Sequence, residues 1–225
     1  MEISTAYLPH EVFAPSDRGG LPVPRVFVAP GRYVEGRGVL RGVGHYLTLL
    51  GPTRAALLMS ARGLRGDGAT LLASLRDAGI EAVPRPFGGE CSLQEIEAQV
   101  AALAAERVDC LVAAGGGKCI DAGKAIAFRL GVPVAIVPTL ASNDAPCSAL
   151  SVLYSPEGVS TGAEFYPDSP ALVVVAEAAL GFPFMGNMPL PISADLVCAS
   201  VRDAHALGSS VAADAGDEAY RRLHG

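Results

Sequence analysis

Three consecutive glycines, Gly115 to Gly117, join an apolar run to a helix-like run in LVAAGGGKCIDAGK, residues 111 to 124. Glycine leaves the backbone bare, so its N–H groups can approach an anion closely. A helix that begins near Lys118 would add unpaired N–H groups and the positive end of its dipole. The arrangement predicts a phosphate site, and a pyrophosphate is the natural ligand.

The glycine run does not match the two standard phosphate-binding patterns. The pattern G-x-G-x-x-G requires glycine at position 120, where the chain has Ile120. The pattern G-x-x-x-x-G-K-[ST] requires glycine at 112 and a hydroxyl at 119, where the chain has Val112 and Cys119. On these residues alone, an ordinary strand-to-helix turn and a nucleotide-binding loop are both open.

The elements that must position this loop alternate along the chain. Helix 92–106 has a particularly clear start, because Ser92 is a good N-cap and Glu95 follows three residues later. Such alternation predicts an α/β fold with a Rossmann-like, mostly parallel sheet and ligands at the carboxyl ends of its strands. The predicted strands are 25–30, 55–60, 81–87, 109–115 and 134–139, and the other predicted helices are 36–50 and 68–78.

Composition argues against several classes of partner. Half of the residues are hydrophobic and the net charge is −6, so the chain lacks the basic patch that nucleic acid requires. The apolar stretch 171–191 is interrupted by Glu177, Asn187 and three prolines, which argues against a membrane span. The first residues do not resemble a signal peptide, and we expect a cytoplasmic protein.

The five cysteines are odd in number and contain no C-x-x-C motif, which favours buried thiols over disulfides. Cys119 is the exception, because a helix N-terminus and the neighbouring Lys118 could lower its pKa. We favour packing as the role of this thiol.

The segment after the loop carries a resemblance to a known family. Residues 115 to 158, GGGKCIDAGKAIAFRLGVPVAIVPTLASNDAPCSALSVLYSPEG, closely resemble the nucleotide domain of the metal-dependent glycerol dehydrogenases, in the wider iron-type alcohol dehydrogenase superfamily. The resemblance is long, nearly gapless and includes the unusual piece P-T-x-A-S-x-D-A-P-C-S.

The resemblance implies a set of site residues. Asp144 resembles the carboxylate that contacts the polyol substrate, although a turn aspartate that bonds its own backbone is the alternative. The implied contacts to the diphosphate and the nicotinamide ribose are Gly116, Gly117, Lys118 and Asp121, extended by Thr139 and Ser142. The implied further dinucleotide contacts, on a hairpin over the nicotinamide, are Ser148, Leu150 and Tyr154.

The resemblance implies NAD as the cofactor, and the adenosine end leaves NADP open. Relatives usually place an aspartate after the second strand for the adenine ribose, where this chain has Ser60. Arg62 and Arg65 follow closely, and arginine in this region is how such folds accept a 2′-phosphate. Two ordinary surface arginines are the alternative, and we favour NAD.

The family holds a divalent metal such as zinc through one aspartate and two histidines in a second, helical domain. The histidines of this chain are His10, His45, His205 and His224, and none lies in the A-H-x-x-H-N-G context of the family. We therefore predict no metal ligands in this chain.

The later residues resemble a different part of the family. Residues 174 to 208 resemble the closing segment of glycerol dehydrogenases, so the chain is expected to be internally deleted between its nucleotide domain and that segment. We predict an N-terminal arm at 1–24, an NAD-binding domain at 25–170 and a truncated helical segment at 171–225.

By resemblance, the function is NAD-dependent oxidation of glycerol, or of a related small polyol, to dihydroxyacetone. Turnover is expected to be impaired because the metal-ligand segment is missing, and a homo-oligomer is left open. Two alternatives remain: a non-catalytic dinucleotide-binding remnant, and a lyase of the dehydroquinate synthase type.

Overall fold

The protein is described here by a computed structural model that covers residues 28–139 and 144–175. The strands are β1 (Tyr33–Glu35), β2 (Arg54–Ser60), β3 (Glu81–Phe87), β4 (Cys110–Gly115), β5 (Val134–Pro138), β6 (Leu150–Tyr154), β7 (Ser160–Phe165) and β8 (Leu172–Val175). The helices are α1 (Val43–Leu47), α2 (Ala61–Arg65), α3 (Asp67–Asp77), α4 (Leu93–Ala104) and α5 (Gly117–Leu130), with 3₁₀ turns at Val39–Gly42 and Thr48–Leu50.

Six strands form one parallel sheet in the order β1-β8-β5-β4-β2-β3, and β6 pairs with β7 in a separate antiparallel hairpin. The prediction of an α/β fold with a mostly parallel, Rossmann-like sheet is confirmed. The strand predictions at 55–60, 81–87, 109–115 and 134–139 match β2, β3, β4 and β5 to within one residue at each end.

Both faces of the sheet are buried, because successive side chains along a strand point to opposite faces. In β2, Ala56 and Leu58 pack in a cluster with side chains of α4 and α5. Their neighbours Leu57 and Met59 pack in a second cluster with side chains of α1 and α3. Helices therefore cover the sheet on two sides, and the chain's continuous apolar runs become its inner strands.

The predicted helix 36–50 is wrong, and so is the part of the predicted strand 25–30 that can be compared. Residues 28–30 are not in a strand, residues 25–27 lie outside the described residues, and the first described strand begins at Tyr33. Pro30 lacks an N–H group and cannot donate to a ladder. In place of the predicted helix 36–50, the chain forms two 3₁₀ turns, one on each side of the five-residue α1. The first turn begins only after Gly38, whose φ of 73° is left-handed.

The sheet extends past the predicted domain boundary at residue 170. Leu172–Val175 pairs with β5 on one side and with β1 on the other, so it is an inner strand. Three of its four residues are fully buried, which is why this apolar run belongs to the sheet. The predicted arm at 1–24 lies outside the described residues. The bulk of the predicted helical segment also lies outside them, and so does most of the stretch that resembles the closing segment of the family.

β3 is an edge strand that pairs with β2 through its whole length. It carries Pro84 and Pro86 two positions apart, so the missing N–H groups lie on one side of the strand. None of the helices in the described ranges is long and apolar enough to cross a membrane.

Helix α5 lies unusually close to β4. A Cβ atom added to Gly123 would lie 2.3 Å from the Cβ of Ala113, which is closer than two carbon atoms can approach. Glycine at this position therefore lets the helix approach the strand, and the approach sets where the N-terminus of α5 lies relative to the end of β4.

We expect Gly123→Ala to lower the free energy of unfolding by about 2 kcal/mol, since the added methyl group must push the helix away from the strand. Urea unfolding followed by circular dichroism measures the change. Gly116→Ala is the matched control, because a Cβ at Gly116 meets no atom within 4 Å. Equal unfolding midpoints for the two variants would contradict the packing argument.

Candidate dinucleotide site

The glycine loop is formed where β4 ends at Gly115 and α5 begins at Gly117. Gly116 is the N-cap, with φ −84° and ψ −179°, and no side chain of the described residues caps the helix. The amide of Thr139 donates to the carbonyl of Gly115 at 3.0 Å, which ties the end of β5 to the loop. The first amides of α5 are thus available to an anion at the carboxyl edge of the sheet.

Two cavities meet at this loop. One has a volume of about 420 Å³ and contains Gly116 and Thr139 in its wall, together with Ser60 from the end of β2. The other has a volume of about 230 Å³. Gly117 and Lys118 line both cavities. The walls of the smaller cavity include Asp121, Asp144, Ser148, Leu150 and Tyr154.

The structure therefore brings together every sequence-predicted site residue that it describes. Ser142 lies outside the described residues. Their roles toward a cofactor stay predictions, but their placement follows from the fold: α5 supplies one wall of the smaller cavity, and the segment 144–154 supplies the other. The hairpin of β6 and β7 lies against α5, since the amide of Val152 donates to Asp121 Oδ2 at 3.1 Å.

Lys118 is held by a residue that the sequence analysis missed. Its Nζ lies 2.7 Å from Glu90 Oε1 and 4.8 Å from the ring centroid of Tyr154. The second oxygen of Glu90 is buried without a hydrogen-bond partner among the described residues. Glu90 follows the edge strand β3, and the carboxyl end of that strand was the signal that could have identified it.

Asp121 and Lys124 form a buried ion pair on α5, with 2.9 Å between Asp121 Oδ1 and Lys124 Nζ. Asp121 Oδ1 is buried, and its charge is balanced by the Lys124 ammonium. Burial raises the pKa of Asp121 and lowers the pKa of Lys124, and the contact between them opposes both shifts.

Asp144 lies where two cavities adjoin. It lines the 230 Å³ cavity and also a neighbouring cavity of about 370 Å³, whose wall includes Tyr33 and Val175. The backbone carbonyl of Asp144 accepts from the amides of Cys147 and Ser148 at 3.0 and 3.1 Å. The carbonyl closes the turn, and the exposed side chain lines the cavities.

Cys119 packs in the core as favoured, and the alternative of a lowered pKa is wrong. Burial raises the pKa of this thiol to about 12. Its Sγ lies 3.7 Å from the carbonyl oxygen of Leu58 and 3.6 Å from that of Ala114, so it points into the core under the loop. Lys118 extends toward Glu90 and does not offset this burial.

The far end of the larger cavity contains Ser60, Gly63 and Asp67. Ser60 caps α2, because its hydroxyl accepts from the amide of Gly63 at 3.1 Å. Arg62 and Arg65, the residues considered for a 2′-phosphate, are exposed on α2 and do not line the cavity. Asp67 was missed by the sequence analysis and places a carboxylate in the wall.

The divalent metal expected in the family does not fit the described residues. Within 28–139 and 144–175, no three histidine, cysteine, aspartate or glutamate side chains are grouped as metal ligands would be. His10, His205 and His224 lie outside the described residues.

Known proteins resemble this chain over the same region. The family model of the iron-containing alcohol dehydrogenases matches residues 30–177. A glycerol dehydrogenase of Escherichia coli O6:H1 is 40% identical over 152 residues, which are 67% of this chain and 41% of that protein. A glycerol dehydrogenase of Thermotoga maritima is 39% identical over 148 residues, which are 66% of this chain and 40% of that protein.

Solved structures agree with the sequence relatives. Glycerol dehydrogenase from Schizosaccharomyces pombe superposes with a TM-score of 0.63 at 31% identity, over 70% of this chain and 40% of that one. A probable glycerol dehydrogenase from Sinorhizobium meliloti superposes with a TM-score of 0.61 at 34% identity, over 67% and 40%. The predicted resemblance is confirmed, and the chain spans about two fifths of the length of these relatives.

The raised pKa of Cys119 predicts a slow reaction with alkylating reagents in the native state, because the thiolate is the reactive form. Cys147 is partly exposed and serves as the internal comparison. We expect iodoacetamide at pH 8 to modify Cys147 at least tenfold faster than Cys119, as measured by mass spectrometry of the two peptides. Equal rates would contradict the assignment of Cys119 to the core.

The contact between Glu90 and Lys118 predicts a gain of anion affinity in Glu90→Gln, since the ammonium loses a competing charge. We expect pyrophosphate to bind about fivefold more tightly, the equivalent of about 1 kcal/mol for a partly exposed ion pair. Calorimetric titration at two salt concentrations measures this gain, which should shrink at high salt. Glu97→Gln removes the same charge from an exposed position on α4 and is the control. Equal affinities in all three proteins would contradict the prediction.

Proposed function

Since the chain belongs to the iron-containing alcohol dehydrogenase family, we propose that it binds NAD across the two cavities at the N-terminus of α5. The diphosphate contacts the amides of Gly116 and Gly117, with Lys118 beside it. The nicotinamide half occupies the 230 Å³ cavity, and the adenosine half occupies the 420 Å³ cavity.

One observation carries this proposal: the two cavities share Gly117 and Lys118 at an uncapped helix N-terminus. A dinucleotide has two nucleoside halves joined by a diphosphate, so it needs two adjoining spaces with an anion site between them. Bare amides at the end of a parallel strand supply that anion site. The wall residues Asp121 and Ser148 supply acceptors for the hydroxyl groups of the nicotinamide ribose.

We favour NAD over NADP because of Asp67. Its carboxylate lines the larger cavity together with Ser60. A 2′-phosphate in that cavity would be repelled by this charge, whereas free ribose hydroxyl groups can donate to it. Arg62 and Arg65 lie outside the cavity wall and offer less compensation there.

The proposed reaction is oxidation of glycerol, or of a related small polyol, to dihydroxyacetone. The hydride leaves the secondary carbon for the nicotinamide ring of NAD, the hydroxyl proton is released to water, and a carbonyl group forms. Asp144 lines the proposed nicotinamide cavity, and we propose that it accepts a hydrogen bond from a neighbouring hydroxyl of the substrate. The glycerol dehydrogenases among the relatives support this substrate class.

We propose further that this chain binds the dinucleotide but oxidises the polyol only slowly. The sequence carries the cofactor residues of the family without the A-H-x-x-H-N-G context of its metal ligands. A metal polarises the alcohol oxygen in such enzymes, and hydride transfer is slower without that assistance. Measurement of glycerol turnover with NAD, together with measurement of dinucleotide affinity, distinguishes an active dehydrogenase from a dinucleotide-binding protein.

The test of binding is a fluorescence titration with NADH, repeated with NADPH. We expect saturable binding with preference for NADH, and we expect Gly116→Ala to weaken it at least tenfold, because the new methyl group projects into the diphosphate space. The thermal midpoint of that variant should be unchanged, since no neighbour lies within 4 Å of the new atom. Failure of the wild-type chain to bind either dinucleotide would contradict the proposal.

A further inference from the structure

We propose that Lys124 is a positioning residue that fixes the cavity wall formed by residues 145–150, and so controls binding of the nicotinamide half of the dinucleotide. This inference rests on the proposed function. Lys124 itself is absent from the wall of the 230 Å³ cavity. It acts from behind, through the segment that presents Ser148 and Leu150 to the cavity.

A single ammonium group gathers several acceptors from this segment. Lys124 Nζ donates to the carbonyl of Ala145 at 2.9 Å and lies 3.4 Å from the carbonyl and 3.2 Å from the hydroxyl of Ser148. It also donates to the carbonyl of Leu150. Three backbone carbonyls within six residues therefore converge on one point, which fixes the shape of the segment between them.

The ion pair extends this attachment to the hairpin. Asp121 accepts from the amide of Val152, two residues after the carbonyl that Lys124 holds, and its own backbone carbonyl accepts from the hydroxyl of Ser151. The side chain of Lys124 is only 2% exposed. A buried charge is costly unless polar groups satisfy it, so the converging carbonyls and the ammonium depend on one another.

Lys124 faces a different space from the dinucleotide cavity. It lines a cavity of about 460 Å³ together with Phe128 and Tyr166, and this cavity is distinct from the 230 Å³ cavity. Its effect on a ligand therefore passes through the residues that it holds, which are the segment and its ion-pair partner Asp121. Loss of the ammonium leaves the carbonyls without this donor. The segment that carries Ser148 then shifts or adopts several conformations.

Lys124→Met tests the inference, because methionine keeps the length and the apolar stem while removing the charge and the donors. Arg129→Met is the matched control. Arg129 also lies on α5 and also bridges to the hairpin, through a 3.0 Å ion pair with Glu164 on β7, but it lines neither dinucleotide cavity. Both variants remove one positive charge and one link between α5 and the hairpin.

Two ligands report on the two halves of the site. ADP carries the diphosphate and the adenosine, and NADH adds the nicotinamide half. At a temperature well below the thermal midpoint of each variant, we expect Lys124→Met to weaken NADH binding at least tenfold and to change ADP binding less than twofold. We expect Arg129→Met to change both by less than twofold.

Several outcomes overturn the inference. Unchanged NADH affinity in Lys124→Met would do so, as would an equal loss of NADH and ADP, which a general loss of structure produces. If Lys124→Met does not fold, Lys124→Gln replaces it in the same titrations, and failure of both to fold assigns Lys124 a purely structural role. A wild-type chain that binds neither ligand overturns the proposed function together with the inference, whereas normal wild-type binding with an unaffected variant overturns the inference alone.

Discussion

The buried ion pair between Asp121 and Lys124 is the interaction on which the site depends. Both groups are removed from water, so each must find polar partners inside the protein. They find them in the 145–152 segment, whose backbone supplies carbonyls to the ammonium and an amide to the carboxylate. The pair thus joins two parts of the chain that contribute opposite walls of one cavity. The same contact therefore contributes to stability and to the shape of the cavity.

Helix α5 connects this pair to the sheet. The glycine loop lies at its N-terminus and the ion pair in its middle. Gly123, between Asp121 and Lys124 in the sequence, allows close packing on β4. Because the helix is rigid, the packing at Gly123 fixes the position of its first amides and of the residues to which the hairpin attaches. Any shift of the helix would therefore move the first amides, the cavity wall and the core contact together.

Much of the fold could be predicted from the sequence, because apolar runs, caps and glycines are local signals. Ser92 does cap α4, and its hydroxyl accepts from the amide of Glu95 at 3.2 Å. Other features depend on distance in space. Glu90 and Lys118 are 28 positions apart, and only the folded chain brings them together. For Cys119 the sequence left a lowered pKa open beside the favoured packing role, because proximity to a helix terminus is visible in the sequence whereas the extent of burial under the loop is not.

The edge strand β3 has a consequence for the solution behaviour of the molecule. Pro84 and Pro86 remove two donors from the same side of the strand. An incoming strand from another molecule would find carbonyl acceptors there with too few N–H groups in register to make a ladder. The two prolines therefore disfavour growth of the sheet by strand addition at this border.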